Sequence, residues 1–177
     1  MDVYLVQPTI DLQEEYLEFY QEWKNSGETM IPWVITKDPS NFPAMIQELL
    51  DAAKGKNIPD SWVPDSTYWL ITNDNKIVGA VNIRHRLTEH LFNAGGHIGY
   101  GIRPSARQKG YATKLLALSL EKIKELGVTK VLVVCDEDNT ASEKTILHNR
   151  GLRDNDFIEE DGNVVKRYWI ELQTFSY

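Results

Sequence analysis

The segment 97–123 constrains the fold of this chain more than any other. His97-Ile98-Gly99-Tyr100-Gly101-Ile102 reads as a strand and is closed off by Arg103 and Pro104. After the turn Arg107-Gln108-Lys109-Gly110-Tyr111-Ala112-Thr113, the apolar residues of 114–123 recur at helical spacing. A strand passing through a basic, glycine-bearing turn into a helix N-terminus predicts an α/β protein with an anion cradle at that turn. The first backbone N–H groups of a helix have no partners within the helix, and the dipole there favours negative charge. Gly110 lets the backbone approach an anion without a Cβ in the way. Arg107 is positioned to add a charge-assisted contact.

Two familiar phosphate motifs are excluded. A P-loop requires Gly-Lys-Ser/Thr, whereas Gly110 is followed by Tyr-Ala-Thr-Lys. In the run Gly95-Gly96-His97-Ile98-Gly99-Tyr100-Gly101 the glycines lie inside the strand rather than in the turn after it. A dinucleotide fingerprint therefore finds no place.

The remaining pattern gives the order β-α-α-β-β-β-α-β-α-β-β. A strand covers about 3–7. Leu12, Tyr16, Phe19, Tyr20 and Trp23 oppose Glu14, Glu15, Glu18 and Glu22, which predicts an amphipathic helix over 11–25. A second helix spans 41–54, with Asn41 as cap and Pro43 in the first turn. Residues 55–66 read as a loop. Strands 68–71 and 77–83 flank Asn73-Asp74-Asn75-Lys76, a hairpin signal, and arms 153–160 and 164–172 flank Asp161-Gly162-Asn163, another. Between them lie strand 97–102, helix 109–126 ended by Gly127, strand 129–135 and helix 140–149.

With 177 residues the chain is read as one domain. Its start has no basic and apolar signal segment, and no apolar run reaches membrane-spanning length, so a cytoplasmic protein without a membrane partner is expected. The lone Cys135 sits in an apolar strand and reads as a core thiol. The net charge of −7 is unevenly spread, because residues 1–66 hold 12 Asp/Glu against 4 Lys/Arg. That balance of −8 argues against nucleic acid there and suits a cationic ligand, with a solvated helix face as the plainer reading. His85, His90, His97 and His148 show no metal-ligand spacing with carboxylates or with Cys135, so no metal is expected.

A second constellation follows the strand at 129–135: Asn139-Thr140-Ala141-Ser142, then Asn149-Arg150-Gly151-Leu152. Polar residues between a strand's C-terminal end and a helix line the usual ligand crevice of an α/β sheet, although Asn139 or Thr140 also suits a simple N-cap. Together with Arg107-x-x-Gly110-x-Ala112, this pattern resembles the GNAT superfamily of acetyl-CoA-dependent N-acetyltransferases. The resemblance is motif-specific over 95–152, looser through 67–87 and the last strands, and in 1–66 is one of element order only. It implies a mixed, mostly antiparallel central sheet of about seven strands with helices on both faces. Residues 1–66 would form the acceptor side, 67–152 the acetyl-CoA-binding core and 153–177 a closing hairpin.

The resemblance further implies that backbone amides of Gln108, Lys109, Gly110, Tyr111, Ala112 and Thr113 hold the CoA pyrophosphate, with Arg107 adding charge. Backbone groups of Tyr100, Gly101 and Ile102 would pair with the pantetheine arm, and Asn139 and Ser142 would contact the cofactor. The strands 97–102 and 129–135 splay apart in such proteins around the thioester. The acceptor would be a small-molecule or peptidyl amine, acetylated by a monomer or homodimer. Many relatives carry a Glu early in the strand before the phosphate turn, where this chain has Gly95, Gly96 and His97. Many also carry a Tyr on the last helix, where this chain has Ile146 and Leu147. His97 is the candidate base because imidazole titrates in the useful range, with His85 on the neighbouring strand as the next choice. A non-catalytic acyl-CoA-binding module is the alternative expectation.

Overall fold

The computed structural model describes residues 1–173. Among the described residues eight strands form two four-stranded sheets, where the resemblance implies one sheet of about seven. The first sheet runs β1 (Val3–Val6), β2 (Asp65–Thr72), β3 (Ile77–Arg84), β4 (Ile98–Ile102), each antiparallel to the next. In the second, β8 (Val164–Glu171) lies between β5 (Lys130–Asp136) and the short strands β6 (Leu152–Arg153) and β7 (Phe157–Ile158). Four α-helices complete the fold: α1 (Gln13–Ser26), α2 (Phe42–Ala53), α3 (Tyr111–Glu125) and α4 (Thr140–His148).

Alternation along the strands divides the side chains between two cores. Leu70, Val81, Ile83 and Ile98 join Val131 and Val133 of the second sheet beneath Leu115, Leu116 and Ile123 of α3. On the opposite face Trp69, Ile71, Ile77 and Ala80 meet Tyr16, Phe19 and Trp23 of α1 and Phe42, Met45 and Leu49 of α2. Tyr16 stacks on Trp69 with ring centroids 4.6 Å apart. The sheet thus has helices on both faces, as the sequence predicts. Asn41 caps α2 by accepting from Ala44 N–H at 3.3 Å.

Two local expectations are corrected. Strand β2 begins at Asp65, inside the stretch read as loop, because Asp65 already pairs with Arg84 on β3. The arm read as 153–160 is broken into β6 and β7, and between them Asp154 turns to bond Arg167 Nη1 and Trp169 Nε1. The last residues of the segment 153–177 read as the closing hairpin, 174–177, lie outside the described residues.

Candidate active site

The two sheets meet at one place. Leu132 O accepts from His97 N–H at 2.7 Å, and Leu132 N–H donates to His97 Nδ1 at 2.9 Å. Beyond that point β4 and β5 belong to different sheets, which leaves a gap between them. The register identifies the groups that face it. Arg84 N–H donates to His97 O and Arg103 N–H to Val78 O, and these pairs bracket the β3–β4 ladder. Opposed residues in an antiparallel pair alternate between bonded and non-bonded, so Gly99 and Gly101 turn their peptide groups to β3. Ile98, Tyr100 and Ile102 turn theirs to the open edge. On β5, Glu137 N–H to Val164 O and Leu172 N–H to Thr129 O fix the same alternation, leaving Val134 and Asp136 facing the gap.

At the far end of β4 the chain passes through the turn into α3. Gln108 and Gly110 adopt left-handed conformations, with φ of 59° and 81°. Gly110 is the cap of α3 and gives no side-chain bond to the first turn. The amides of Tyr111, Ala112 and Thr113 therefore head a 15-residue helix without internal partners. Arg107 has protein partners at this end of the strand. Its guanidinium pairs with Glu28 at 2.5 Å, its Nε donates to Ile102 O at 3.0 Å, and it lies over the Trp23 ring. It fastens the loop after α1 to the end of β4. Lys109 Nζ donates to Ser105 O at 3.0 Å.

Asn139 Oδ1 accepts from Ser142 N–H at 3.0 Å, so the N-cap reading of Asn139 holds and its Nδ2 remains as a donor. The hydroxyls of Tyr100 and Ser142 stand 2.9 Å apart, which brings the middle of β4 to the first turn of α4. Burial pushes the Tyr100 phenol up to about 12. Cys135 is buried in the core, and burial pushes its thiol up to about 11, as a structural thiol requires.

The structure gives His97 a different task from the one predicted. Its Nδ1 accepts a peptide N–H, so in the neutral ring the proton sits on Nε2 and no lone pair is left to take another. Burial first, and then the Arg84 charge, lower its pKa from 6.5 to about 4. His97 thus ties the two sheets together, with its Nδ1 lone pair engaged by Leu132. His85 Nε2 lies 2.7 Å from Ser66 Oγ. His90 precedes the irregular helical segment Leu91–Gly95, and His148 ends α4. Among the described residues no cluster of three or more His, Cys, Asp or Glu is arranged to hold a metal ion.

The α1/α2 face of β4 carries no side chains where it borders the gap, because Gly99 and Gly101 both point there. A Cβ on Gly101 would stand 2.1 Å from Ile31 O and 2.6 Å from the Trp23 ring, so the loop after α1 roofs that position. Next to Gly99, on the same face, lie Asn82 and Arg84 of β3, and beyond them Asp65 and Thr67 of β2. Asn82 Nδ2 donates to Asp65 at 2.5 Å. Asp65 also borders a cleft of about 430 Å³ whose walls include Trp33, Trp62, Glu48, Asp51 and Lys37. Trp33 and Trp62 meet edge to face at 5.1 Å, and Lys37 Nζ stands over the Trp33 ring at 5.1 Å while bonding Glu48.

Sequence reasoning missed Arg103, which is almost wholly buried yet charged. It bonds Glu18 at 3.1 Å, Glu22, and Ile77 O, and so ties α1 to the end of β4. An arginine before a proline gave no signal of this, but the i, i+4 pair of glutamates on α1 was a visible half of it. Arg84 was also missed, since a charged residue at a strand end reads as solvated.

An open-edged strand, a divergent partner and an exposed glycine turn at a helix N-terminus are the arrangement expected of an acetyltransferase fold. The chain belongs to the acetyltransferase (GNAT) domain family, whose profile matches residues 2–150. It is similar to the ribosomal-protein-S5-alanine acetyltransferase of Vibrio fischeri, with 14% identity over 99% of this chain and 94% of that one and a TM-score of 0.70. It is similar also to a microcin C7 self-immunity acetyltransferase solved with acetyl-CoA and AMP, with 18% identity over 97% and 93% and a TM-score of 0.67. A chimera built on a Vibrio cholerae spermidine N-acetyltransferase gives 13% identity over 97% and 96% and a TM-score of 0.64. At these identities the likeness is one of fold. No curated protein matches the chain in sequence.

Proposed function

We propose that this chain transfers an acetyl group from acetyl-CoA to a primary amine of a small-molecule or peptidyl acceptor that carries positive charge. The observation that carries the reading is the gap between β4 and β5, which opens toward the exposed N-terminus of α3. The amides of 108–113 are fitted to the CoA pyrophosphate, since they offer unpaired donors at the positive end of a helix dipole. The outward peptide groups of Tyr100 and Ile102 are fitted to the amide-bearing pantetheine arm, as an added strand would be. Asn139 Nδ2 and the Ser142 hydroxyl border the same gap.

The acceptor nitrogen attacks the thioester carbonyl carbon, the C–S bond breaks, and the sulfur leaves as thiolate. A thiol of pKa near ~8.5 leaves without strong acid assistance. Peptide N–H donors on the open edge of β4 are suited to the oxyanion that forms in between. With His97 engaged by Leu132, the amine's proton passes to water in the gap. A positive acceptor is supported by Glu48, Asp51 and Asp65 around the Trp33–Trp62 cleft. Part of the acidic excess of residues 1–66 has another use, because Glu18, Glu22 and Glu28 neutralise Arg103 and Arg107.

The test is thermal stability with acetyl-CoA, CoA and ATP, followed by thiol release against a panel of amines with products read by mass. Acetyl-CoA is expected to stabilise the chain and ATP is not. CoA-selective binding without thiol release against any amine would instead mark an acyl-CoA-binding module.

A further inference from the structure

Arg84 is the unexplained charge of the acceptor face. It ends β3, directly across from His97, and its guanidinium lies over Gly99 on β4. A Cβ at Gly99 would stand 3.1 Å from Nη2 and 3.2 Å from Nη1, so glycine is what leaves room for it. Its side chain makes one hydrogen bond among the described residues, from Nη1 to Gly95 O at 3.3 Å, and no carboxylate lies within 4.0 Å of it. Burial lowers its pKa, and the carboxylate of Asp65 only partly offsets this. Of the other groups that face it, His97 is neutral, and Asp65 acts on Arg84 without an ion pair while its Oδ1 accepts from Asn82. A largely desolvated guanidinium with one weak bond is costly unless an anion completes it.

A second unpaired group lies beside it. Asn82, two residues earlier on the same face and opposite Gly99, is fully buried, and its Oδ1 has no hydrogen-bond partner. A carbonyl oxygen there accepts an N–H. This face therefore holds an unpaired acceptor at Asn82, closed off from solvent, and beside it a cation without an ion pair at Arg84.

We infer that Arg84 is the anion subsite of the acceptor pocket, and that the acceptor is an amino acid or amino-acid-like amine whose carboxylate lies close to the amine that is acetylated. This rests on the acetyltransferase reading above and narrows it. Arg84 holds the carboxylate in a charge-assisted, forked contact, and this orients the neighbouring amine over Gly99 toward the gap. The acidic cleft beyond Asp65 then receives a positive tail, in the order gap, Arg84, Asp65, Trp33 and Trp62.

The test measures binding by thermal shift and calorimetry to the CoA-saturated protein, with L-lysine, L-lysinamide and 1,5-diaminopentane, and with L-methionine and its amide. Acetyl-CoA affinity is measured alongside. The free carboxylates are expected to bind about tenfold or more tightly than their amides, as a charged hydrogen bond predicts. Arg84→Gln should abolish that preference, Arg84→Lys should restore part of it, and both should leave acetyl-CoA affinity and melting temperature near the parent values. Equal binding of acids and amides, or a preference that survives Arg84→Gln, would overturn the assignment while leaving the acetyltransferase reading standing. Failure of acetyl-CoA to bind would overturn that broader reading instead, and the acid-versus-amide comparison on the unliganded protein would still decide the role of Arg84.

Discussion

His97 and Leu132 are bonded to each other twice, through a peptide N–H of His97 at 2.7 Å and through its ring Nδ1 at 2.9 Å. That double contact is the apex from which β4 and β5 diverge, so the His97 side chain helps fix the width of the gap. Its pKa of about 4, against 6.5 for the ordinary imidazole, gives the sign of a pH effect. Between these values the unfolded chain binds a proton that the folded chain does not. Stability is therefore fully present above pH 6.5 and declines as pH falls toward 4. His97→Gln keeps a side-chain acceptor but does not titrate, and should flatten that slope in melting experiments. Its turnover above pH 7 should stay within about tenfold of the parent, whereas loss of a general base costs about 10²–10⁴-fold. A fall of that larger size at unchanged melting temperature would restore His97 as the base.

Arg103 makes a comparable long-range tie, from the end of β4 to Glu18 and Glu22 on α1. Burial disfavours the Glu22 charge, but the Arg103 and Ser105 hydrogen bonds outweigh it and bring the carboxyl from 4.5 down to about 2. This contribution is present above pH 4.5 and is lost as pH falls through 2. Glu22→Gln leaves the buried guanidinium with Glu18 and Ile77 O and should cost about 1.5–3 kcal/mol, the range for a hydrogen bond to a charged group, since Glu22 is partly exposed. Denaturant titration at pH 7 measures the loss. A cost below about 0.5 kcal/mol would show that Glu18 and solvent suffice.

The readable parts of the chain were those whose cause is local. The turn at 107–113 announces itself through Gly110 and the helix behind it, and Asn73-Asp74-Asn75-Lys76 between apolar runs announces a hairpin. What escaped was set by partners distant in sequence. His97 looked like a base because residue type is visible and Leu132, 35 positions away, is not. The partners of Arg107 were hidden for the same reason, since Glu28 and Trp23, which meet its guanidinium, lie far from it in sequence. The break at 154–156 escaped because Asp154 is drawn off the strand by Arg167 and Trp169 from across the sheet. The acidic excess of 1–66 was legible as a sum, but not in its division between ion pairs to Arg103, Arg107 and Lys37 and the other carboxylates of the cleft.

Gly110 and Arg107 are expected to separate two effects that the sequence had joined. A Cβ at Gly110 would meet only Met1 Cε at 3.4 Å, so space is available and the cost of Gly110→Ala is that of a left-handed φ, about 1–2 kcal/mol. Gly110→Asp adds a negative charge where the pyrophosphate is proposed to bind and should weaken acetyl-CoA binding by well over about tenfold. Arg107→Ala should lower the melting temperature through the lost Glu28 and Ile102 contacts, with a smaller effect on acetyl-CoA affinity. Calorimetric titration of both variants decides the matter. If Arg107→Ala weakens the cofactor as much as Gly110→Asp does, the guanidinium leaves Glu28 to bind phosphate.

Lys37 occupies the position that a cationic acceptor tail is expected to take. Its Nζ sits over Trp33 and on Glu48, at the wall of the cleft bounded by Asp51 and Asp65. A cation there is held by a ring face and by carboxylates near water, so the attraction is screened by salt. For a positively charged acceptor, KM should rise between low and high salt while kcat changes little. Lys37→Met removes the resident charge and frees both Trp33 and Glu48, so it should lower that KM several-fold. Trp33→Ala should raise it by roughly threefold to tenfold, in line with a partly desolvated cation–π contact of about 1 kcal/mol. Acceptor kinetics at two salt concentrations with the three proteins provide the measurement. A KM indifferent to salt and to Lys37→Met would mean that the acceptor leaves this cleft empty, and that Glu48 is there to anchor Lys37.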